Sequence, residues 1–307
     1  MEKYKKKVKH IFPTFLIIAI LTNLIWSLIH WFFAIENSII NIKEEIWNMW
    51  IPFIIPWIPL QIWLKPKLKI LTFKIPKKRL ISSQQIIDGN RSFFLFISWT
   101  IIAGFIIVSQ YYLVSDTGKV KKISKIEEIN VYEKVRFYEI SDFDIDFIKG
   151  KAFTNFRYWK SSLNIDMYFV YPFELNSKNI SVIYGHKFQK TIYKKKKETN
   201  KEAERQVFYK DCLEQIDNLD IESIKYFEKV ENNRDKDFFM RALNLFDSKS
   251  KSNNIILEPK FESYNGRNNK YIRGILFILL FGSGLLLLLL EWPGLSEHAY
   301  KKQTKFK

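Results

Sequence analysis

Ile272-Arg273-Gly274-Ile275-Leu276-Phe277-Ile278-Leu279-Leu280-Phe281-Gly282-Ser283-Gly284-Leu285-Leu286-Leu287-Leu288-Leu289-Leu290 is a run of 19 residues made almost wholly of leucine, isoleucine, phenylalanine and glycine. As a helix it would rise roughly 28 Å, close to the roughly 30 Å of hydrocarbon in a bilayer. The run therefore predicts a transmembrane span, and the rest of the chain is read outward from it.

Three further apolar blocks precede it. Residues 93–114 carry only Ser98, Thr100, Ser109 and Gln110 as polar interruptions, none of them charged. Residues 11–35 contain Asn23 and His30, groups costly in lipid but usually directed at a neighbouring helix. Lys3, Lys5, Lys6, Lys7 and Lys9 give this block the look of a signal peptide. It is too long for a cleavable apolar region of about 7–15 residues and no small-residue cleavage site follows, so a retained anchor is expected. The fourth block, residues 46–64, holds Pro52, Pro56 and Pro59 among Trp47, Trp50, Trp57 and Trp63. Prolines remove helix donors, so the block reads either as a kinked span or as a re-entrant loop, with indole rings suited to the interface.

Charge favours four crossings. Residues 65–91 contain Lys65, Lys67, Lys69, Lys74, Lys77, Lys78, Arg79 and Arg91 against Asp88 alone, whereas residues 36–45 contain Glu36, Glu44 and Glu45 against Lys43. Basic flanks stay in the cytoplasm. Four spans put the N-terminal lysines, the 65–91 segment and the tail lysines Lys301, Lys302, Lys305 and Lys307 on that side; three spans cannot. The formal net charge is +17, but residues 115–271 contribute 30 Lys and Arg against 25 Asp and Glu, a net of +5 that leaves 12 for the membrane flanks. The excess is an orientation signal, and no nucleic-acid partner is expected.

The mean hydropathy of −0.14 is an average over segregated parts. Residues 115–271 read as a water-soluble α+β domain lying close to the bilayer. Residues 129–140 and 163–172 have strand character, as do 180–184 and 189–193, the last two joined as a hairpin through Tyr184-Gly185-His186-Lys187. After Lys194–Lys197, a solvated linker, Thr199 and Glu202 have capping-box spacing. The helix expected from there to about Asn218 has an apolar stripe of Phe208, Cys212, Gln215 and Leu219 with Val207 and Ile216. Shorter helices are expected at 222–231 and 235–246, and a returning strand at 255–264.

Chemistry is sparse. The single cysteine, Cys212, excludes an intramolecular disulfide and reads as a buried filler. His10, His30, His186 and His298 are too scattered under this topology to share a metal. Asp142, Asp144 and Asp146 lack the glycine and terminal glutamate of a calcium loop and read as an exposed strand face. Gly282-Ser283-Gly284 reads as a close helix contact rather than as a serine nucleophile. No catalytic, cofactor-binding or metal-ligating residue is expected.

In their order, Ile46-Trp47, Trp50-Ile51-Pro52, Pro56-Trp57-Ile58-Pro59, Trp63-Leu64-Lys65-Pro66, Ser115-Asp116-Thr117-Gly118-Lys119 and Tyr264-Asn265-Gly266 resemble the N-terminal extension of a bacterial group of rhomboid-family membrane proteins. In that group an accessory region precedes an intramembrane protease core. The protease motif is Gly-x-Ser-Gly with a histidine base on another span; here Phe281 stands at the first glycine and no span follows Leu290, so no catalytic residue carries over. The resemblance implies the accessory region without the protease core.

The expectation is therefore a membrane α-helical chain of about four spans with an inserted soluble α+β domain. Residues 1–114 hold three spans (11–35, 46–64 and 93–114), residues 115–271 form an extracytoplasmic domain, and residues 272–307 hold the fourth span (272–290) and a cytoplasmic tail. The location is a bacterial inner membrane, with both termini cytoplasmic. The expected function is non-enzymatic, namely binding of a membrane or periplasmic protein partner or an accessory role beside a membrane protease. A transporter or channel component with a proline-broken second span is the alternative, and an intramembrane serine hydrolase ranks below both.

Overall fold

A computed structural model of the chain describes residues 1–36, 39–40, 42–73, 83–132, 135–159, 162–173, 182–193, 200–244 and 254–304. It has two compact units, one of Met1–Thr117 with Asn268–Lys307 and one of Gly118–Arg267.

The first unit is helical. Its three long helices are Glu2–His30, Ser83–Thr117 and Asn269–Leu289. The segments Glu2–Glu36, Ile87–Thr117 and Tyr264–Leu289 are each long and apolar enough to cross a membrane. Glycines let the second and third long helices approach closely. A β-carbon on Gly282 would lie 2.5 Å from Ile101, one on Gly274 3.2 Å from Val108, and one on Gly104 3.8 Å from Ile278. Residue numbers fall on one helix as they rise on the other, so the seam is antiparallel. In lipid, where apolar burial does not drive helices together, close backbone approach is what small residues supply. Of Gly282-Ser283-Gly284, Gly282 makes the close helix contact expected, whereas Gly284 faces open space.

The proline-rich block follows a helical path rather than a loop. Wide π turns at Ile46–Trp50 and Leu60–Leu64 alternate with short α-helical pieces at Ile51–Ile54 and Trp57–Pro59. Ile51 donates its backbone N–H to Ile46 and Lys65 donates to Leu60, each five residues back. Ile55 donates to Ile51 at 3.0 Å and Leu60 to Pro56 at 3.2 Å, four residues back. Mixing the two turn types raises the period above 3.6. The buried stripe is Asn48, Pro52, Pro56, Leu60, Leu64 and Leu68, every fourth residue, while Trp50, Phe53, Ile54, Trp57, Ile58, Ile62 and Trp63 are exposed. Pro52 and Pro56 therefore lie on the packed face, with Pro59 half-buried beside it.

One end of this unit gathers the basic segments. Lys7 Nζ donates to Pro293 O at 2.5 Å, and His10 Nε2 shares a 2.5 Å hydrogen bond with Gln303 Oε1. Gln303 Nε2 donates to Pro66 O at 2.8 Å, and Arg91 donates to Lys69 O at 3.1 Å. Strand β1 (Leu71–Thr72) pairs antiparallel with β9 (Gly294–Leu295) at this end. At the other end Asn268 Nδ2 donates to Asp116 Oδ1 at 2.7 Å, so the chain leaves and re-enters the bundle at adjacent points.

The second unit is a mixed seven-stranded sheet in the order β2-β3-β7-β8-β6-β5-β4. The strands are β2 (Val120–Lys125), β3 (Phe137–Asp142), β4 (Lys151–Trp159), β5 (Ser162–Pro172), β6 (Val182–Tyr193), β7 (Tyr226–Lys229) and β8 (Ile255–Lys260). Alternation along β5 serves two cores. Leu163, Ile165, Met167, Phe169 and Tyr171 face a core shared with Phe208, Cys212 and Ile216 of the Lys201–Asp217 helix. Tyr168 and Val170 face Phe238, Phe239, Ala242 and Leu243 of the Arg234–Leu243 helix on the other side.

Several expectations are corrected. Tyr184-Gly185-His186-Lys187 is not a turn: β6 runs straight through it, paired antiparallel with β5 and parallel with β8. Gly185 is there because β8 and a helix crowd it, since a β-carbon would sit 2.6 Å from Ile256 Cγ2 and 3.1 Å from Phe239. Among the described residues of 129–140 only the end is strand, after a 3-10 turn at Ile126–Tyr132. The helix expected at 222–231 is the 3-10 turn Ile221–Ser223 followed by β7, because pairing with β3 and β8 outweighs local propensity. Asn200 caps the Lys201–Asp217 helix, its Oδ1 accepting from Glu202 N at 3.1 Å and Ala203 N at 3.3 Å. Thr199 and Lys194–Lys197 lie outside the described residues, as do 245–246 of the helix expected at 235–246. Val207 and Gln215 face outward, leaving Phe208, Cys212 and Ile216 as the stripe. Asp144 and Asp146 sit in the loop after β3 instead of on its face, and Asp146 caps the turn Phe147–Lys149.

Replacing Gly185 by alanine pushes a rigid branched side chain and a ring aside, a strain of about 1–3 kcal/mol. Gly185→Ala is expected to lower the unfolding free energy of the second unit by that amount, read by denaturant titration of its tyrosine fluorescence.

Candidate functional site

The second unit carries an open recess of about 880 Å³ lined by His186, Phe188, Asp211, Glu214, Gln215, Asn218, Leu219, Asp220, Ser223 and Phe261. Strand alternation puts His186 and Phe188 on the same face of β6 as Tyr184, two residues apart each time. Their rings stack, with His186 and Phe188 centroids 4.4 Å apart at 29°, and Phe261 beyond the end of β8 stands 6.4 Å from His186.

The opposite wall is the C-terminal end of the Lys201–Asp217 helix and the turn after it. Asn218 closes the helix, its N–H donating to Glu214 O at 3.1 Å and its Nδ2 to the same oxygen at 2.8 Å. Asp220 then starts the next turn by accepting from Glu222 N at 3.1 Å. These caps hold the rim in place, because a capped end has fewer ways to fray. Lys190 pairs with Asp211 at 3.1 Å.

Titration follows burial. His186 is held down at about 4, first because burial disfavours its charged form and second because Lys260 repels a proton there. It is neutral at pH 7, with Nδ1 sharing a 3.1 Å hydrogen bond with the Tyr184 hydroxyl. Burial pushes the Tyr184 hydroxyl up as well. The Cys212 thiol is pushed up to about 12, by burial first and then by Asp211, so it is protonated and unreactive in the core. No family model, curated protein or solved structure matches this chain. The functional reading consequently rests on the geometry.

The other residues considered from sequence go elsewhere. His30 is buried in the first unit, with Nδ1 2.9 Å from Gln110 Oε1, and Gln110 Nε2 donates to Ser27 Oγ at 3.0 Å. The His30 ring lies parallel to Trp47 at 5.3 Å, and Trp47 stacks on Trp26 at 5.4 Å. That arrangement supports a packing role for His30. His10 touches Tyr300 and Gln303, and His298 is exposed on the helix Glu297–Thr304. Among the described residues no group of three His, Cys, Asp or Glu is placed to hold a metal. Sequence reasoning placed His186 in a turn and so missed the recess wall. The signal available was the aromatic alternation Tyr184, His186, Phe188, which marks one strand face.

The depressed His186 fixes a sign. Its proton affinity is lower folded than unfolded, so the stability it contributes is full above about pH 6.5 and is lost as pH falls towards 4. Partial exposure reduces the ideal value to on the order of 1–2 kcal/mol. Unfolding midpoints of the native chain are expected to fall more steeply between pH 7 and 4.5 than those of His186→Phe. Parallel curves would show that His186 does not titrate in this way.

Proposed function

We propose that the chain is a multi-pass protein of a bacterial inner membrane, non-enzymatic, whose extracytoplasmic α+β domain binds a partner protein at the recess walled by His186, Phe188, Glu214 and Phe261. The recess itself carries this reading: at about 880 Å³ it exceeds what one side chain needs and suits a segment of polypeptide. The order of tryptophan and proline motifs supports an accessory role beside a membrane protease of the rhomboid type.

Four crossings fit this reading. The 46–64 block is helical, apolar on its exposed face and packed on the other, which suits a kinked span better than a re-entrant loop. Residues 7, 10, 66, 69, 91 and 303 share one end of the bundle, as expected if all basic flanks are cytoplasmic. Two measurements test the proposal. Topology reporters at Arg79 and Asn200 are expected to report cytoplasm and periplasm respectively, and a cytoplasmic signal at Asn200 overturns the arrangement. A photo-crosslinking residue at Phe261 is expected to give a protein adduct in intact cells that the same residue at exposed Trp159 does not. Equal patterns at both sites count against the recess.

One observation favours a transporter component as the second reading. Asn48 is only 2 % exposed and its side-chain oxygen has no hydrogen-bond partner among the described residues, an unusual state for a buried amide inside a bundle. Solute flux through reconstituted vesicles would then change in Pro56→Ala; unchanged flux excludes it.

A further inference from the structure

We propose that the recess selects a basic segment of polypeptide, seating an arginine or lysine side chain between the Glu214 carboxylate and the aromatic ledge of His186, Phe188 and Phe261. The inference rests on the partner-binding reading above and adds the chemistry of the partner.

The lining holds three carboxylates, Asp211, Glu214 and Asp220, and no lysine or arginine. They are not equivalent. Asp211 is neutralised by Lys190 at 3.1 Å, and Asp220 gives one oxygen to the Glu222 amide. The Glu214 carboxylate has no ion-pair partner among the described residues, although its backbone oxygen caps the helix. A carboxylate on the wall of a recess with no ion-pair partner among the described residues is a group that a cation would complete. Residues 115–271 are net basic, with 30 Lys and Arg against 25 Asp and Glu, whereas the recess lining is acidic; Lys260, which disfavours a proton on His186, is a positive charge beside that lining.

The aromatic wall has the complementary feature. Ring faces attract cations within about 6 Å of their centroids, guanidinium more often than ammonium. His186 is neutral at pH 7, so it adds a face and no repelling charge. A guanidinium placed on this ledge would meet π density on one side and Glu214 on the other. Small inorganic cations, tightly hydrated, would gain little from the rings, and a free polyamine would leave most of the recess empty. A polypeptide satisfies both.

The test uses the full-length chain in detergent and three labelled peptides of one length, Arg-Gly-Arg-Gly-Arg, its lysine version and its glutamate version, with spermine as a competitor. Fluorescence anisotropy is expected to rank arginine above lysine and to give no binding for glutamate. Glu214→Gln and Phe261→Ala are each expected to weaken the arginine peptide by about tenfold, while Glu204→Gln, ten residues earlier on the same helix, leaves it unchanged. The proposal is overturned by equal affinity for the glutamate peptide, by indifference to both recess substitutions, or by spermine binding as tightly as the peptide with the same sensitivity. Should the peptides fail while cross-linking from Phe261 persists, the partner site stands and only its charge preference is lost. Failure of both removes the site.

Discussion

Lipid cannot hydrogen-bond to a backbone, so every N–H and C=O inside a membrane unit must find its partner in the protein. The same demand falls on any helix packed among its neighbours, and it is met in the oddest segment of this chain. Pro52, Pro56 and Pro59 each delete a donor, yet the backbone from Ile46 to Leu68 stays helical because wide turns re-space the remaining bonds. The four-residue repeat of buried side chains is the outward sign of that re-spacing. Tryptophans and isoleucines then occupy the outer face, where amphipathic and apolar groups are tolerated.

The same unit is held by a buried apolar cluster, by small residues at a helix seam and by buried amides. Gly282 and Gly274 admit Ile101 and Val108, while Gln110 ties His30 to Ser27 across two helices. Lys7 shows how a charge can be held at the margin: its ammonium reaches carbonyls just past the third long helix, where the helix dipole is negative. These contacts bind the N-terminal helix, the end of the proline block and the C-terminal segment into one cap.

The second unit is organised around its sheet. Strand β5 is buried on both faces, one helix covering each side of the sheet, and the recess lies between β6 and the C-terminal end of the first of these helices. A helix end exposes carbonyls and polar caps, and a strand face exposes alternate rings, so their junction naturally combines charge with aromatic surface. Asp211 and Glu214 have the helical spacing that places both towards the same wall.

Hydropathy alone located the three long apolar helices, because a run such as 272–290 is almost wholly apolar over a length that suits a membrane span. Period-two alternation likewise marked 163–172 as a strand, and a polar start with a single apolar stripe marked the helix ending near Asn218. What sequence could not decide is everything that depends on who packs beside whom. Gly185 looks like a turn until Ile256 and Phe239 are seen to occupy its missing side chain. Residues 226–229 look helical until β3 and β8 claim their backbone bonds. The recess joins β6 to a helix end and to Phe261, residues distant in the chain, and no local pattern encodes that meeting. Solvent preference is written residue by residue and can be read so; partnership is a property of the folded whole, where long-range ladders and close packing overrule local tendency.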